Sequence, residues 1–215
     1  NGATREAWSC ESTCRGRPPM PDPLLTGKPG RIDRVTVPPL TYLAIDGQGA
    51  PGGPAHVTAV SALYTIAYTA RFAGKKLGHE QKVGPLEGLW WADDMAVFLT
   101  GTRDDWRWRM LIRAPDWLDA AAFDTQRTAA LRKSPDLAEA LRRVELMTVD
   151  EGDCLQALHL GPYADEGPLI ARIHQTAASL DLPLRGQHHE IYLNDPSRTA
   201  PERLKTILRQ PVGPA

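Results

Sequence analysis

The chain is poor in the features that most quickly assign a protein to a class. Among its 215 residues there are three cysteines, Cys10, Cys14 and Cys154. An odd count argues against a paired disulfide framework, and Cys10-X3-Cys14 has no second Cys or His pair beside it to complete a zinc set. Cys154 reads as a small buried hydrophobe and the other two as unstructured thiols. No run approaches the roughly 18 uninterrupted apolar residues that a membrane-spanning helix needs, and no apolar secretory core stands near the N-terminus. A soluble, cytoplasmic protein without a membrane partner is expected. Lys plus Arg number 25 and Asp plus Glu 26, a formal net charge of -1 with no basic block, so nucleic acid is not expected as a direct ligand. His56, His79, His159, His174, His188 and His189 show no paired ligand spacing, and Gly-X-Ser-X-Gly is missing. Gly47-Gln48-Gly49 is a partial phosphate-loop match that Pro51 and Pro54 weaken. Neither metal nor cofactor is expected.

What the chain does have is a 42% hydrophobic composition, enough for a core, and an internal repeat. His188-His189-Glu190-Ile191-Tyr192-Leu193 followed by Ile207-Leu208-Arg209-Gln210-Pro211 has a degraded copy in Leu86-Glu87-Gly88-Leu89-Trp90-Trp91 followed by Leu111-Ile112-Arg113-Ala114-Pro115. Each copy sets a glutamate beside aromatics in a strand-like run. Duplication of one unit is the economical reading, with two fused half-domains facing each other across a pocket.

The elements support it. Residues 1–19 are polar and aperiodic, Met20 is a candidate start, and residues 1–32 are expected to be a disordered leader outside the fold. Leu40-Thr41-Tyr42-Leu43-Ala44-Ile45 reads as the opening strand. From His56 to about Phe72 apolar residues recur at helical spacing, with Gly74 as a stop. Strands follow at about Val83 to Trp91 and Trp106 to Arg113, around a Gly101-to-Asp105 turn. A helical connection from about 116 to 143 is split by Pro135, with Asp116 or Asp119 as N-cap. The second unit repeats the order. An added strand near Val144 to Thr148 precedes Cys154 to Leu160, a helix over Glu166 to Leu180, the Glu190 strand and a last strand at Leu204 to Arg209. The predicted fold is α+β: duplicated β-α-β-β units, about 38–115 and 144–212, with antiparallel sheets and a ligand cleft between the repeats.

Strand alternation puts His188, Glu190 and Tyr192 on one face and His189, Ile191 and Leu193 on the other. The Ile191 and Leu193 face is expected to meet the helices, which sends Glu190 and Tyr192 into the cleft. A partly desolvated carboxylate there would bind a cation or act as a general base; the plainer alternative is an ion pair with Arg209 or Arg185. Trp90, Trp91, Trp106 and Trp108 cluster in one hairpin, next to Glu87. They can form an aromatic wall for a planar or cationic ligand, or ordinary core. Tyr64 and Tyr68, one helical turn apart, can add phenols to the same cavity or pack as core aromatics.

Pro85-Leu86-Glu87-Gly88-Leu89-Trp90-Trp91, His159-Leu160-Gly161-Pro162-Tyr163 and Glu190-Ile191-Tyr192-Leu193-Asn194-Asp195-Pro196, with the final strand, together resemble the GyrI-like small-molecule-binding proteins over about residues 33–212. The resemblance implies a tandem β-α-β-β fold and a cleft glutamate at Glu190 that meets cationic or polarised ligands. The Glu-Gly-Leu-Trp-Trp and Glu-X-Tyr-Leu signatures are also similar to those of proteins that hydrolyse cyclopropanoid genotoxins. In that case Glu190 would activate water and Tyr192 would donate to the oxygen that becomes phenolate. Trp90, Trp91, Glu87, Tyr64, Tyr68, Trp108 and Tyr163 would contact ligand. Three expectations follow: a detoxifying hydrolase of planar aromatic molecules, a non-catalytic binder of cationic aromatics, and a topoisomerase-interacting protein as the family name suggests.

Overall fold

The structure, a computed structural model, describes residues 22–91 and 105–214. Residues 1–21 and most of the expected hairpin turn at Gly101 to Asp105 lie outside the described residues. The strands are β1 (Ile32–Val37), β2 (Leu40–Gln48), β3 (Leu86–Trp91), β4 (Arg107–Arg113), β5 (Glu145–Val149), β6 (Gly152–Leu160), β7 (His188–Tyr192) and β8 (Lys205–Pro211). The α-helices are α1 (Pro54–Lys76), α2 (Ala120–Lys133), α3 (Ala138–Arg143) and α4 (Gly167–Ser179).

All eight strands form one antiparallel sheet in the order β1-β6-β8-β7-β3-β4-β2-β5. Exchanging β1 with β5, β2 with β6, β3 with β7 and β4 with β8 turns this order into its own reverse, as a two-fold duplication requires. The halves therefore meet edge to edge, through β3 and β7, and not as two sheets face to face. They also interlock. β1, the first strand of the first unit, lies on β6 of the second, while β5 lies on β2 of the first. β1 went unread in the sequence, which had the ordered part opening at Leu40 and residues up to 32 outside the fold. Its burial alternates weakly because it is an edge strand, so apolar periodicity carries little signal there.

α1 begins with Pro54 in its first turn and buries Ala59, Ala62, Leu63, Ile66, Ala67 and Ala70. That alanine-rich stripe lets the helix approach Leu43, Ile45, Met110 and Ile112 on β2 and β4. The helix runs past Gly74, the expected stop. A Cβ on Gly74 would lie 2.7 Å from the Trp117 indole nitrogen, so this glycine serves close packing, and Gly78, at φ +89°, makes the left-handed turn that follows the helix. Asp119 caps α2 by accepting from the Ala122 amide at 2.8 Å. α4 places Ile173 and Ala177 on Leu155, Ala157 and Leu208.

These helices cover the face that carries Glu190. Glu190 stands opposite Gly88 and Leu208, and Trp90, two residues from Gly88, packs under α1 while Leu208 packs under α4. The expectation that the Ile191 face meets the helices is thus reversed. Ile191 is buried on the other face, where the N-terminal segment crosses with Gly27 against Leu158 and Ile207. Both faces of the central strands are covered, so apolar residues on one face did not mark the helix side. α1 lies over β2 and β4, and α4 over β6 and β8; the central pair β3 and β7 forms the floor between them.

Trp108 is buried beneath this layer with its indole across Gly47, where an added Cβ would sit 2.1 Å from the ring. Its Nε1 donates to the Gly49 carbonyl at 3.1 Å, which fixes the ring. Gly47→Ala should therefore cost about 1–3 kcal/mol by overpacking. Urea unfolding checks this; a midpoint equal to wild type would show that the ring can move.

Candidate functional site

Three consecutive outward positions of β7, His188, Glu190 and Tyr192, line the floor between α1 and α4. The Tyr192 hydroxyl donates to Glu190 Oε2 at 2.7 Å and accepts from Trp90 Nε1 at 3.0 Å. Gly88 makes this relay possible. A Cβ there would lie 2.9 Å from Trp90 Nε1 and 3.2 Å from the Tyr192 hydroxyl. His188 Nε2 stands 3.7 Å from Glu190 Oε1. Burial, then His174 and His189, depress its imidazole to about 3, so it is neutral and gives Glu190 no countercharge.

The walls come from the two helices. From α1, His56 stacks on Trp90 with centroids 6.2 Å apart and meets Trp108 edge-on at 5.4 Å. Tyr64 stacks on Tyr68 at 6.1 Å, and burial, Tyr68 and Asp195 raise the Tyr64 phenol. From the loop before α4, Tyr163 meets the Tyr192 ring edge-on at 5.4 Å. Burial, Glu166 and Glu190 push the Tyr163 phenol up to about 12. Glu166, immediately before α4, is buried, and its Oε1 has no hydrogen-bond partner among the described residues. Burial raises both carboxyls. For Glu190 it outweighs the Tyr192 hydrogen bond and the His189 charge; for Glu166 the negative charge of Glu190 adds to it against the nearby Thr206 hydroxyl. Two acids, Glu166 buried and Glu190 largely so, without a matched cation among the described residues can bind positive charge or move protons.

The opposite face of the same strand carries a closed ionic network. His189 Nδ1 lies 2.9 Å from Glu151 Oε1, and its Nε2 lies 3.0 Å from Glu87 Oε2. Arg209 reaches Glu151 Oε2 at 2.9 Å, Gln156 Oε1 at 2.8 and 3.0 Å, and the Leu24 carbonyl at 2.7 Å. All five side chains are buried. Burial alone would deprotonate His189, but Glu151 and Glu87 outweigh it and raise the imidazole to about 9. Burial likewise opposes ionisation of Glu151, yet His189 and Arg209 hold it at about 2.

Of the residues singled out in the sequence, Glu190, Tyr192, Trp90 and Tyr163 come together, with Tyr64 along the α1 wall. Tyr68 is on the same helix ridge but exposed. Three do not join them. Glu87 belongs to the opposite network, Trp91 packs on that same opposite face with Leu89 and Leu111, and Trp108 is core beneath His56. Strand parity explains the first two: adjacent residues on β3 alternate faces. Tyr192 also spends its proton on Glu190, so the donation to a ligand oxygen expected of it is already committed. Arg209 and Arg185, the alternative partners for Glu190, bind on the opposite side, Arg185 through the Glu151 and Val212 carbonyls. Glu166 and His56 were not read as site residues, and His188 was placed on the Glu190 face without a role. An acid at the start of an amphipathic helix ordinarily faces water, and no spacing rule marks one turned inward. Cavities of about 300 Å³ and 200 Å³, beside Arg172 and beside Arg143, lie away from Glu190. No cluster of three or more metal-binding side chains occurs among the described residues.

The model of the GyrI-like small molecule binding domain matches residues 32–212. The chain belongs to the GyrI-like family. An uncharacterized conserved protein of Listeria innocua is 36% identical to this GyrI-like chain, with a TM-score of 0.79 over 86% of this chain and 93% of that one. A protein of the same organism described as a hydrolase is 35% identical, with a TM-score of 0.74 and the same coverage. The C-terminal domain of EcmrR shares the fold alone, at 8% identity and a TM-score of 0.54 over 86% of this chain and 98% of that one. No curated protein matches. Among the described residues no helix is long and apolar enough to cross a membrane.

In this GyrI-like domain the His189 network stabilises the protonated imidazole, so its contribution is complete below the unfolded histidine value and is lost as pH rises through about 9. Unfolding free energy should decline between about pH 6.5 and 9. That slope should be missing in His189→Gln, measured by urea titration at several pH values. Glu151→Gln strips a partner from two buried cations and should cost about 3–5 kcal/mol.

Proposed function

We propose that this GyrI-like domain is a detoxifying hydrolase. A planar aromatic molecule lies on the floor between α1 and α4, and Glu190 activates the water that opens a strained electrophile such as a cyclopropanoid genotoxin. Glu190 itself carries the reading. A largely buried carboxylate oriented by the Tyr192 hydroxyl at 2.7 Å, with a neutral histidine beside it, costs stability and makes a strong base once ionised. Trp90 holds Tyr192 from behind and, with His56 stacked on it, offers a flat surface for an aromatic ring. The hydrolase description of the Listeria innocua relative supports the same class of reaction.

Chemistry follows from position. Water on the free edge of Glu190 is deprotonated as its oxygen attacks the ring carbon; ring strain lowers the barrier, and general-base assistance of about 10²- to 10⁴-fold completes the step. Tyr192 orients the carboxylate and shields it from bulk water. Because burial raises the Glu190 carboxyl, kcat/KM should climb with pH through a value above the ordinary carboxylate range.

Glu190→Gln should lower turnover of a cyclopropanoid alkylator by at least about a hundredfold. It should also raise the unfolding midpoint at pH 8, where wild type carries a buried charge that the amide lacks. Product analysis by mass spectrometry checks the first; an unchanged rate of hydrated product in the variant refutes the hydrolase. The two uncompensated acids favour one second reading, capture of cationic aromatics without chemistry. It predicts that wild type quenches its tryptophan fluorescence with a planar cation yet leaves the alkylator unchanged.

A further inference from the structure

The hydrolytic reading leaves one requirement unmet. When a cyclopropyl dienone opens, the electron pair of the broken carbon-carbon bond moves into the ring system and its oxygen becomes phenolate, which needs a proton donor. Tyr192 already donates to Glu190, the neutral His188 imidazole is too weak an acid to protonate a phenolate, and the Tyr163 phenol, pushed up to about 12, holds its proton more tightly than an ordinary phenol does. Among the described residues Glu166 is the remaining buried acid on this face. It is buried at the head of α4, its Oε1 has no hydrogen-bond partner among the described residues, and its backbone is tied to Tyr163 by an amide-to-carbonyl bond of 3.3 Å. Tyr163 in turn packs against Tyr192, the residue that holds Glu190. Thr206, beside Glu166, is the ladder partner of Tyr192 across β7 and β8.

Resting on the hydrolase reading, we propose that Glu166 is the acid partner of Glu190, supplying the proton that the opened ring's oxygen takes up. The balance closes. Water forms the new carbon-oxygen bond, Glu190 accepts the water proton, the strained carbon-carbon bond breaks, and Glu166 gives its proton to the phenolate oxygen. Transfer from protonated Glu190 back to ionised Glu166 restores the start, and the net change is addition of one water. The charge of Glu190 acts on Glu166, and like charges that interact resist ionising together, so the first proton lost leaves the second held, as an acid-base pair requires. Among the described residues, the other titratable groups on this side are His188 from β7, His159 from β6 opposite Thr206, His174 from α4, Tyr163 and Tyr192, with Tyr64 and Asp195 toward α1.

Two measurements on Glu166→Gln test this. With a cyclopropanoid alkylator, kcat should fall about a hundredfold and the alkaline limb of its pH profile should disappear, while KM stays within threefold. Without substrate, carboxyl-selective NMR of labelled glutamate should show the Glu190 midpoint moving to lower pH in the variant, as it escapes a neighbouring charge. A wild-type rate with both limbs intact overturns the assignment. If wild type does not hydrolyse the alkylator, the hydrolase reading fails on its own, and an unmoved Glu190 midpoint then removes the pair as well. Should Glu166→Gln not fold, Glu166→Asp, which keeps the proton on a shorter arm, should retain the alkaline limb with reduced kcat; loss of that limb in the aspartate variant counts against it.

Discussion

A protonated histidine held between two carboxylates, His189 between Glu87 and Glu151, is the interaction on which the centre of this molecule depends. It joins β7 to β3 of the other repeat and to the turn before β6, and Arg209 extends the contact to β8, Gln156 and the N-terminal segment. Separating these charges inside the protein would leave each without solvent, so the network is costly to break even though a well-packed apolar set of the same volume can hold as firmly. Its geometry is specific where hydrophobic contact is not. Only one alignment of β3 on β7 brings Glu87 to His189.

That alignment decides the site. Since side chains alternate along a strand, fixing His189 on one face places His188, Glu190 and Tyr192 on the other, between α1 and α4. A slip of one residue would exchange the two sets. The same five-residue strand thus carries matched charge behind and unmatched charge in front. Behind, Glu87 and Glu151 each have a cation; in front, Glu190 and Glu166 have none among the described residues, and burial drives both toward the protonated form. Fold stability comes from the first arrangement and the proposed reactivity rests on the second.

The duplication accounts for why the site sits where it does. Joining two units through β3 and β7 leaves the central strands between two helices that belong to the outer strands, and the exchange of β1 and β5 ties the halves so that this floor does not open along its seam. The copies have diverged across it. Where the second unit presents Glu190 and Tyr192, the first presents Gly88 and Trp90, and the missing side chain at Gly88 is what admits the indole to the tyrosine hydroxyl.

Much of this was legible in the chain. Apolar periodicity located both units, and side-chain and backbone chemistry gave the cap, open between Asp116 and Asp119, and the split at Pro135; all of these signals are local. Alternation also told that Glu190 and Tyr192 share a face. The edge strand β1 escaped because it buries little, and α1 outran Gly74 because that glycine answers to Trp117, far along the chain. By itself, then, the sequence determined the two repeats, their elements apart from β1, and which residues of β7 share a face. Tertiary structure alone decided which face the helices cover, that Glu87 belongs to the brace and not to the site, and that Glu166 turns inward. Those outcomes turn on pairing between residues about a hundred positions apart, and the burial that moves a carboxyl's proton exists only once those strands have met.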